Sequence, residues 1–328
     1  MALSPKFDIL AIGNAIVDVT APVAEAFLSR HDMRKGAMAL VDAATAETLY
    51  AAMPPAGESS GGSAANTAAV AALLGSRVAY LGRVADDQLG RVFRHDIAAV
   101  GVHFPTPPLA GGAPTARCLI LVTPDAQRTM NTFLGACVSF GPDDVDPALV
   151  ADSAVTYLEG YLFDPPAAQE AFRKAAAAAH AAGRQVALTL SDAFCVHRHR
   201  AAFRDLVANH IDILFANEAE VTALYETNTL AEAVTHARRD VALAAITMSE
   251  NGSMVIQGGE TALIRAEPTS VVDTTGAGDA YAAGFLAAHT RGLSLQQAGR
   301  LGSIAAAEVI SHYGARPMRD LSKEMASL

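Results

Sequence analysis

Short apolar runs alternate with longer amphipathic stretches over most of this chain, and glycine usually marks the change from one to the other. Phe7 to Gly13 (FDILAIG) reads as a buried strand closed by glycine, followed by polar Asn14 and Asp18. Phe27 to Tyr50 mixes a short helix with strand-like pieces at 37–41, and Pro54 to Gly62 reads as a loop. Ser63 is placed to cap a helix over 64–74, which Gly75 stops. A strand over 77–81 and a helix over 88–100 follow. Two strand-like runs between Thr115 and Phe133 flank Pro124–Arg128, as in a hairpin. Strands are then expected at 155–159, 185–190, 211–215 and 244–248. Helices are expected at 167–182, around 199–208, at 218–225 and at 230–238. A hairpin over 253–257 and 261–265 precedes two long helices at 280–291 and 294–311.

Regular alternation of strands and helices predicts an α/β fold, a mainly parallel central sheet flanked by helices in three layers. The early β-rich segments break that alternation and are expected to form a small β-sheet of their own. The expected large α/β domain comprises 1–14, 46–104 and 136–328, and a discontinuous lid comprises 15–45 and 105–135. In open sheets of this kind ligands bind beyond the carboxyl ends of the strands. The polar residues that follow strands are therefore the candidates for chemistry: Asn14 and Asp18, Asp192 with neighbouring Phe194, Asn217 and Glu220, and Thr247 and Ser249.

Composition narrows the classes. A chain of 328 residues, 51% hydrophobic, can bury a large core. Its net charge of −10 opposes broad binding to nucleic acid or an anionic membrane, yet leaves room for a local phosphate site. No uninterrupted apolar run is long enough to span a membrane, and the N-terminal residues lack a signal-peptide pattern. The three cysteines, Cys118, Cys137 and Cys195, are widely spaced and odd in number, which fits buried thiols in a reducing cytoplasm. The histidines have no metal-ligand spacing.

The densest candidate chemistry lies at 271–286, VVDTTGAGDAYAAGFL. An apolar strand end leads into a turn with two glycines, and an acid opens an Ala-rich helix. A helix N-terminus presents unpaired N–H groups and partial positive charge to an anion. Asp279 beside such an anion hole suggests a base that activates a hydroxyl while the backbone holds a phosphoryl group. A dinucleotide fingerprint fits badly, because Tyr281 stands where its third glycine belongs and little chain follows. The bland alternative is a capping acid on an ordinary strand–turn–helix. A P-loop motif is absent.

Four segments, in order along the chain, carry a family resemblance. Gly61-Gly62-Ser63-Ala64-Ala65-Asn66 resembles the N-terminal glycine signature of the ribokinase-like (PfkB) kinases, and Asp273-Thr274-Thr275-Gly276-Ala277-Gly278-Asp279 their C-terminal signature. Gly82–Gly90 matches their G-x-x-x-x-D-x-x-G segment, and Asn217-Glu218-Ala219-Glu220 their N-x-x-E motif. The resemblance implies ATP-dependent phosphorylation of a hydroxymethyl group. Asp279 would be the base, and the N–H groups of Gly276, Ala277 and Gly278 the hole for the γ-phosphate. Asn217 and Glu220 would organise the water around Mg²⁺. Asp273 and the Thr275 carbonyl would hold a monovalent cation such as K⁺, as in some members. Thr247, Ser249, Gly252 and Ser303 would border ATP.

Within that family the chain looks most like the adenosine kinase branch. Gly13–Asp18 resembles its G-N-x-x-x-D, where the aspartate holds ribose hydroxyls, and Leu190–Phe194 its L-S-A-P-F, where the phenylalanine lies against the base. Tyr161 stands where that branch has an aromatic after a glycine. Arg128 matches an arginine that reaches the phosphates from the lid. Asn14, Asp18, Gly62, Ser63, Asn66, Phe194 and Tyr161 are thus the implied substrate contacts. Met38 and Leu134 either line an apolar lid or belong to the core. Two departures bear on the acceptor: Ala64-Ala65 replaces a common Thr-Gln, and Asp192-Ala193 replaces Ala-Pro. The expected reaction is adenosine plus ATP to AMP plus ADP. A kinase for fructose, ribose or another free sugar is the alternative, and a catalytically silent sensor on the same fold a further one. The implied partners are small molecules alone, on a monomer or homodimer.

Overall fold

A computed structural model describes residues 4–125 and 127–326; Ala126, inside the expected hairpin turn, lies outside them. Among the described residues, thirteen strands form two sheets. In chain order they are β1 (Phe7–Ile12), β2 (Ile16–Pro22), β3 (Met38–Leu40), β4 (Gly57–Gly61), β5 (Val78–Leu81), β6 (Ala116–Val122), β7 (Arg128–Phe133), β8 (Ser153–Glu159), β9 (Gln185–Thr189), β10 (Ile213–Asn217), β11 (Leu243–Thr247), β12 (Ser253–Gln257) and β13 (Glu260–Ile264). The larger sheet has the order β13-β12-β11-β10-β9-β8-β1-β5. It is parallel from β5 to β11, with an antiparallel hairpin, β12 and β13, at one edge.

Each central strand is buried on both faces, which explains its unbroken apolar sequence. Along β1, Ile9 and Ala11 enter the core on one side of the sheet, while Leu10 and Ile12 enter the core on the other. The helices Ser63–Leu73, Ala277–His289 and Leu295–Val309 cover the first side, and Pro166–Ala181 and Ala193–His210 the second. Their Ala-rich faces let them lie close to the strands. Each fully buried Leu, Ile or Phe contributes about 1.5–3 kcal/mol, so this double-sided core anchors the fold. The three cysteines are free and buried, as expected.

The second sheet has the order β3-β7-β6-β2-β4. Residues 57–61 are a strand here, where the sequence reads as a loop. Gly57–Gly61 carries no hydrophobic pattern, but the backbone groups of β2 pair with it from Ile16↔Gly61 to Thr20↔Gly57. The small sheet therefore draws on a segment between the two expected lid pieces. Alternation along β2 buries Val17, Val19 and Ala21 and turns Ile16, Asp18 and Thr20 to the opposite face. Register places Asp18 beside Cys118, and Cys118 beside Thr132. Arg128, Met130 and Met38 lie on that same face. Among the described residues no helix is long and apolar enough to cross a membrane.

Candidate active site

The strand order reverses between β1 and β8, because the chain leaves β1 for β5 on one side and returns to β8 on the other. Such a switch point opens a crevice at the carboxyl ends of the strands. Glu159, the last residue of β8, is buried there. It accepts from Asn14 Nδ2 at 2.8 Å, from Asn14 N–H at 3.3 Å and from Ala64 N–H at 2.7 Å. Glu159 thus ties the end of β1 to the start of the Ser63–Leu73 helix. Sequence reasoning passed over it. An acid at the end of an apolar run and just before Gly160 was the available signal.

Gly62, not Ser63, is the N-cap of that helix. The chain turns there with φ +95°, and a Cβ would collide with the Asn14 carbonyl oxygen. Ser63 becomes the first helical residue, and its side chain caps nothing. It donates instead to Asp279 Oδ1 at 2.6 Å, and Asn66 Nδ2 approaches Asp279 Oδ2 at 3.5 Å. Two helix N-termini, distant in sequence, are thereby set side by side.

Gly276 is the N-cap of the Ala277–His289 helix, with φ +79°. The Ala277 N–H is turned to the Thr274 carbonyl at 3.2 Å. Among the described residues, the Gly278 and Asp279 N–H groups, next in the first turn, make no such loop contact. The space above Gly278 is open. Asp279 stands in this first turn, and burial pushes its carboxyl up to about 6 against the lowering hydrogen bonds from Ser63 and Asn66.

Three other acids share its situation. Burial raises Asp18 to about 6, opposed by Arg316 and Arg128 and reinforced by Asp279. Burial raises Glu159 to about 7 and Glu220 to about 7. Perturbed acids gathered in one cleft mark a functional site. So many carboxylates around one crevice also disfavour a bare polyphosphate. Glu220 and Asn217 form a reciprocal cap on the helix Glu218–Tyr225: Asn217 Nδ2 donates to Glu220 at 2.7 Å, and Glu220 N–H donates back at 2.8 Å.

The expected cation residues are differently engaged. Asp273 Oδ1 accepts from Thr275 Oγ1 at 2.7 Å and Thr275 N–H at 3.1 Å. Its Oδ2 pairs with the Arg128 guanidinium and accepts from Gly314 N–H. Two lone pairs per oxygen are then spoken for, so this carboxylate does not fit a monovalent cation while Arg128 holds it. Arg128, expected at the phosphates, is held by that ion pair, which joins the small sheet to the turn before the Ala277–His289 helix.

Phe194 is 76% exposed at the start of the helix Ala193–His210, a helix that begins earlier than expected and kinks at His199. Tyr161 is partly exposed, its N–H bonded to Ser191 Oγ at 3.2 Å. Neither ring is packed in the core. Met38 is exposed on β3, and Leu134 lines an apolar hollow of about 240 Å³ with Leu40, Val41 and Val138. Thr247 ends β11 beside Asn217, Ser249 and Gly252 occupy the turn that follows, and Ser303 is buried on Leu295–Val309.

A ribokinase-like fold, with an acid in the first turn of a helix whose N-terminus is open at Gly278, defines a class of phosphotransferase that acts on hydroxyl groups. A family model described as pfkB family carbohydrate kinase matches residues 40–321, and the chain belongs to that family. Use of ATP, typically with Mg²⁺, comes with it. The chain is 28% identical over 334 residues to the adenosine kinase of Saccharomyces cerevisiae, covering 93% of this chain and 95% of that protein. It is similar to the crystal structure of adenosine kinase from Sinorhizobium meliloti, with 54% identity, a TM-score of 0.90 and coverage of 98% and 99%. It is also similar to a probable sugar kinase from Rhizobium etli, with 50% identity, a TM-score of 0.91 and 98% coverage of each chain.

Proposed function

We propose that this protein transfers the γ-phosphoryl group of ATP to the 5′-hydroxyl of adenosine. The observation that carries the chemistry is the contact of Ser63 and Asn66 with Asp279 at an open helix N-terminus. Asp279 takes the proton of the 5′-hydroxyl as its oxygen attacks phosphorus and the bond to the β-phosphate oxygen breaks. A carboxyl raised to about 6 is ionised at neutral pH yet more basic than an ordinary aspartate, which suits that transfer. The Gly278 and Asp279 N–H groups hold the transferring oxygens. Asp18 and Asn66 hold the ribose, and Glu159 fixes Asn14 and the turn at Ala64.

Mg²⁺ commonly keeps several waters and binds through one or two carboxylates and the phosphates. The described residues contain no group of three or more metal-ligating side chains, and Glu220 with Asn217 fits such a water-mediated role. When bound, the ion would offset phosphate charge in this acidic cleft.

Adenosine is preferred over a free sugar because exposed Phe194 and partly exposed Tyr161 follow β9 and β8, where a planar base needs an apolar wall. The likeness to the S. meliloti adenosine kinase supports the same choice. The likeness to a probable sugar kinase keeps fructose or ribose as the second reading. Thermal unfolding tests the acceptor directly. Adenosine at about 100-fold over its Kd stabilises the protein by about 2.7 kcal/mol and raises Tm. A Tm shift with fructose or ribose and none with adenosine would move the assignment to the sugar.

A further inference from the structure

Arg128 begins β7 on the small sheet, and Asp273 lies in the turn that leads into the Ala277–His289 helix. Far apart in sequence, they meet as an ion pair whose side chains are 11% and 7% exposed. Arg128 Nη1 donates to Asp273 Oδ2. The turn itself takes up the rest of the carboxylate. Thr275 Oγ1 and N–H donate to Oδ1 at 2.7 and 3.1 Å, and Gly314 N–H donates to Oδ2 at 3.3 Å. The Gly314 segment closes one side of the turn, since a Cβ on Gly276 would lie 2.7 Å from Ala315 Cβ.

A carboxylate in the turn that carries an anion-binding helix N-terminus works against its purpose. Its charge repels an incoming phosphoryl group, and so little exposure leaves water few ways to screen it. A cation has to offset that charge. The family resemblance gives the task to a monovalent ion held by Asp273 and the Thr275 carbonyl. A carboxylate offers about four lone-pair sites, and here Thr275, Gly314 and Arg128 use them. A small ion could enter only by displacing a donor, and Arg128 already brings one positive charge that no working pH removes.

We propose that the Arg128 guanidinium takes the place of the monovalent cation in this chain, so that phosphoryl transfer needs none. Arg128 is a positioning residue in this role. It neutralises Asp273 and, through the bonds of Asp273 to Thr275, holds the turn that ends at Gly276. The inference rests on the reading of the Gly278–Asp279 turn as the phosphoryl site, and is independent of which hydroxyl is phosphorylated.

The test compares ATP-dependent phosphorylation and thermal unfolding in KCl and in tetramethylammonium chloride, for the parent, Arg128→Met and Arg128→Lys. Equal ionic strength equalises screening, so the parent is expected to show the same Tm in both salts and a kcat that agrees within about twofold. Arg128→Met keeps a long side chain and loses the charge. It is expected to lose about tenfold or more in kcat in tetramethylammonium chloride, to recover most of that loss in KCl and to melt at a higher temperature there. K⁺ can replace a missing charge at Asp273, but it cannot replace packing or a direct guanidinium contact with phosphate. Arg128→Lys, a point charge without the fork, should lose less and gain less from KCl. If Arg128→Met does not fold, the lysine variant and the parent carry the comparison. A parent that KCl activates or stabilises over tetramethylammonium chloride, or a loss in Arg128→Met that KCl does not restore, would overturn the proposal. A parent that phosphorylates a free sugar and no nucleoside overturns the adenosine reading alone, and the salts are then compared on that sugar. If no acceptor is turned over, the Tm comparison decides, since it needs none.

Discussion

Asp279→Asn is expected to lower kcat by about 10²-fold or more while the fold survives. Asparagine keeps the shape and can still meet Ser63 and Asn66, so the loss reports the missing base. The pH dependence sharpens this. With its carboxyl at about 6 in the free enzyme, Asp279 is the working base only when ionised, so kcat/KM of the parent falls as pH drops through about 6. That limb is steeper than one group would give, because Asp18 titrates in the same range. The asparagine variant lacks the share of the limb that belongs to Asp279. Stability moves the opposite way. A folded-state pKa raised from 3.8 means that charging Asp279 opposes folding: its contribution is fully present below about 4 and is lost as pH rises through about 6. Asp279→Asn is therefore expected to raise Tm at pH 8 and to leave it nearly unchanged at pH 4. A variant with near-normal kcat would remove the assigned role.

Gly62→Ala is the second large effect, and it falls first on stability. At φ +95° an L side chain is strained whatever the space, and here its Cβ also collides with the Asn14 carbonyl oxygen. Backbone cannot yield as a side-chain tip does. The expected cost is about 3 kcal/mol or more, which lowers Tm by about 5 °C or more. Relief of the collision would push Asn14 and the start of the Ser63–Leu73 helix apart. Those groups are joined through Glu159, and Ser63 leads on to Asp279. Acceptor KM should therefore rise in the protein that remains folded, at a temperature below the lowered midpoint. Differential scanning calorimetry and initial rates on the same preparation check both parts. An unchanged Tm would mean that the turn can relax without cost.

Legibility followed the physics of each element. Central strands such as β1 and β10 were visible because both faces are buried, leaving an apolar run that glycine or a polar cap ends. β4 was invisible: GESSG has no hydrophobic signature, and only its pairing with β2 makes it a strand. The glycine turn with Asp279 was legible because phosphate chemistry demands a local pattern of backbone and acid. Ser63 was legible as a helix-start residue, but its role as Asp279's donor depends on two helices far apart in sequence. Glu159 belongs to the same class, held by three N–H donors across the switch point. Tertiary placement, not local spacing, gives each its meaning. Asp273 and Arg128 make the converse case. Each had a separate expected partner, and the structure pairs them with one another.

The acceptor is the centre of the account, and steady-state rates of ATP-dependent phosphorylation measure it most directly. With purified protein, ATP and Mg²⁺, kcat/KM for adenosine should exceed that for fructose or ribose by about 10²-fold or more, with AMP as the product. Turnover of fructose or ribose without AMP formation from adenosine would contradict it.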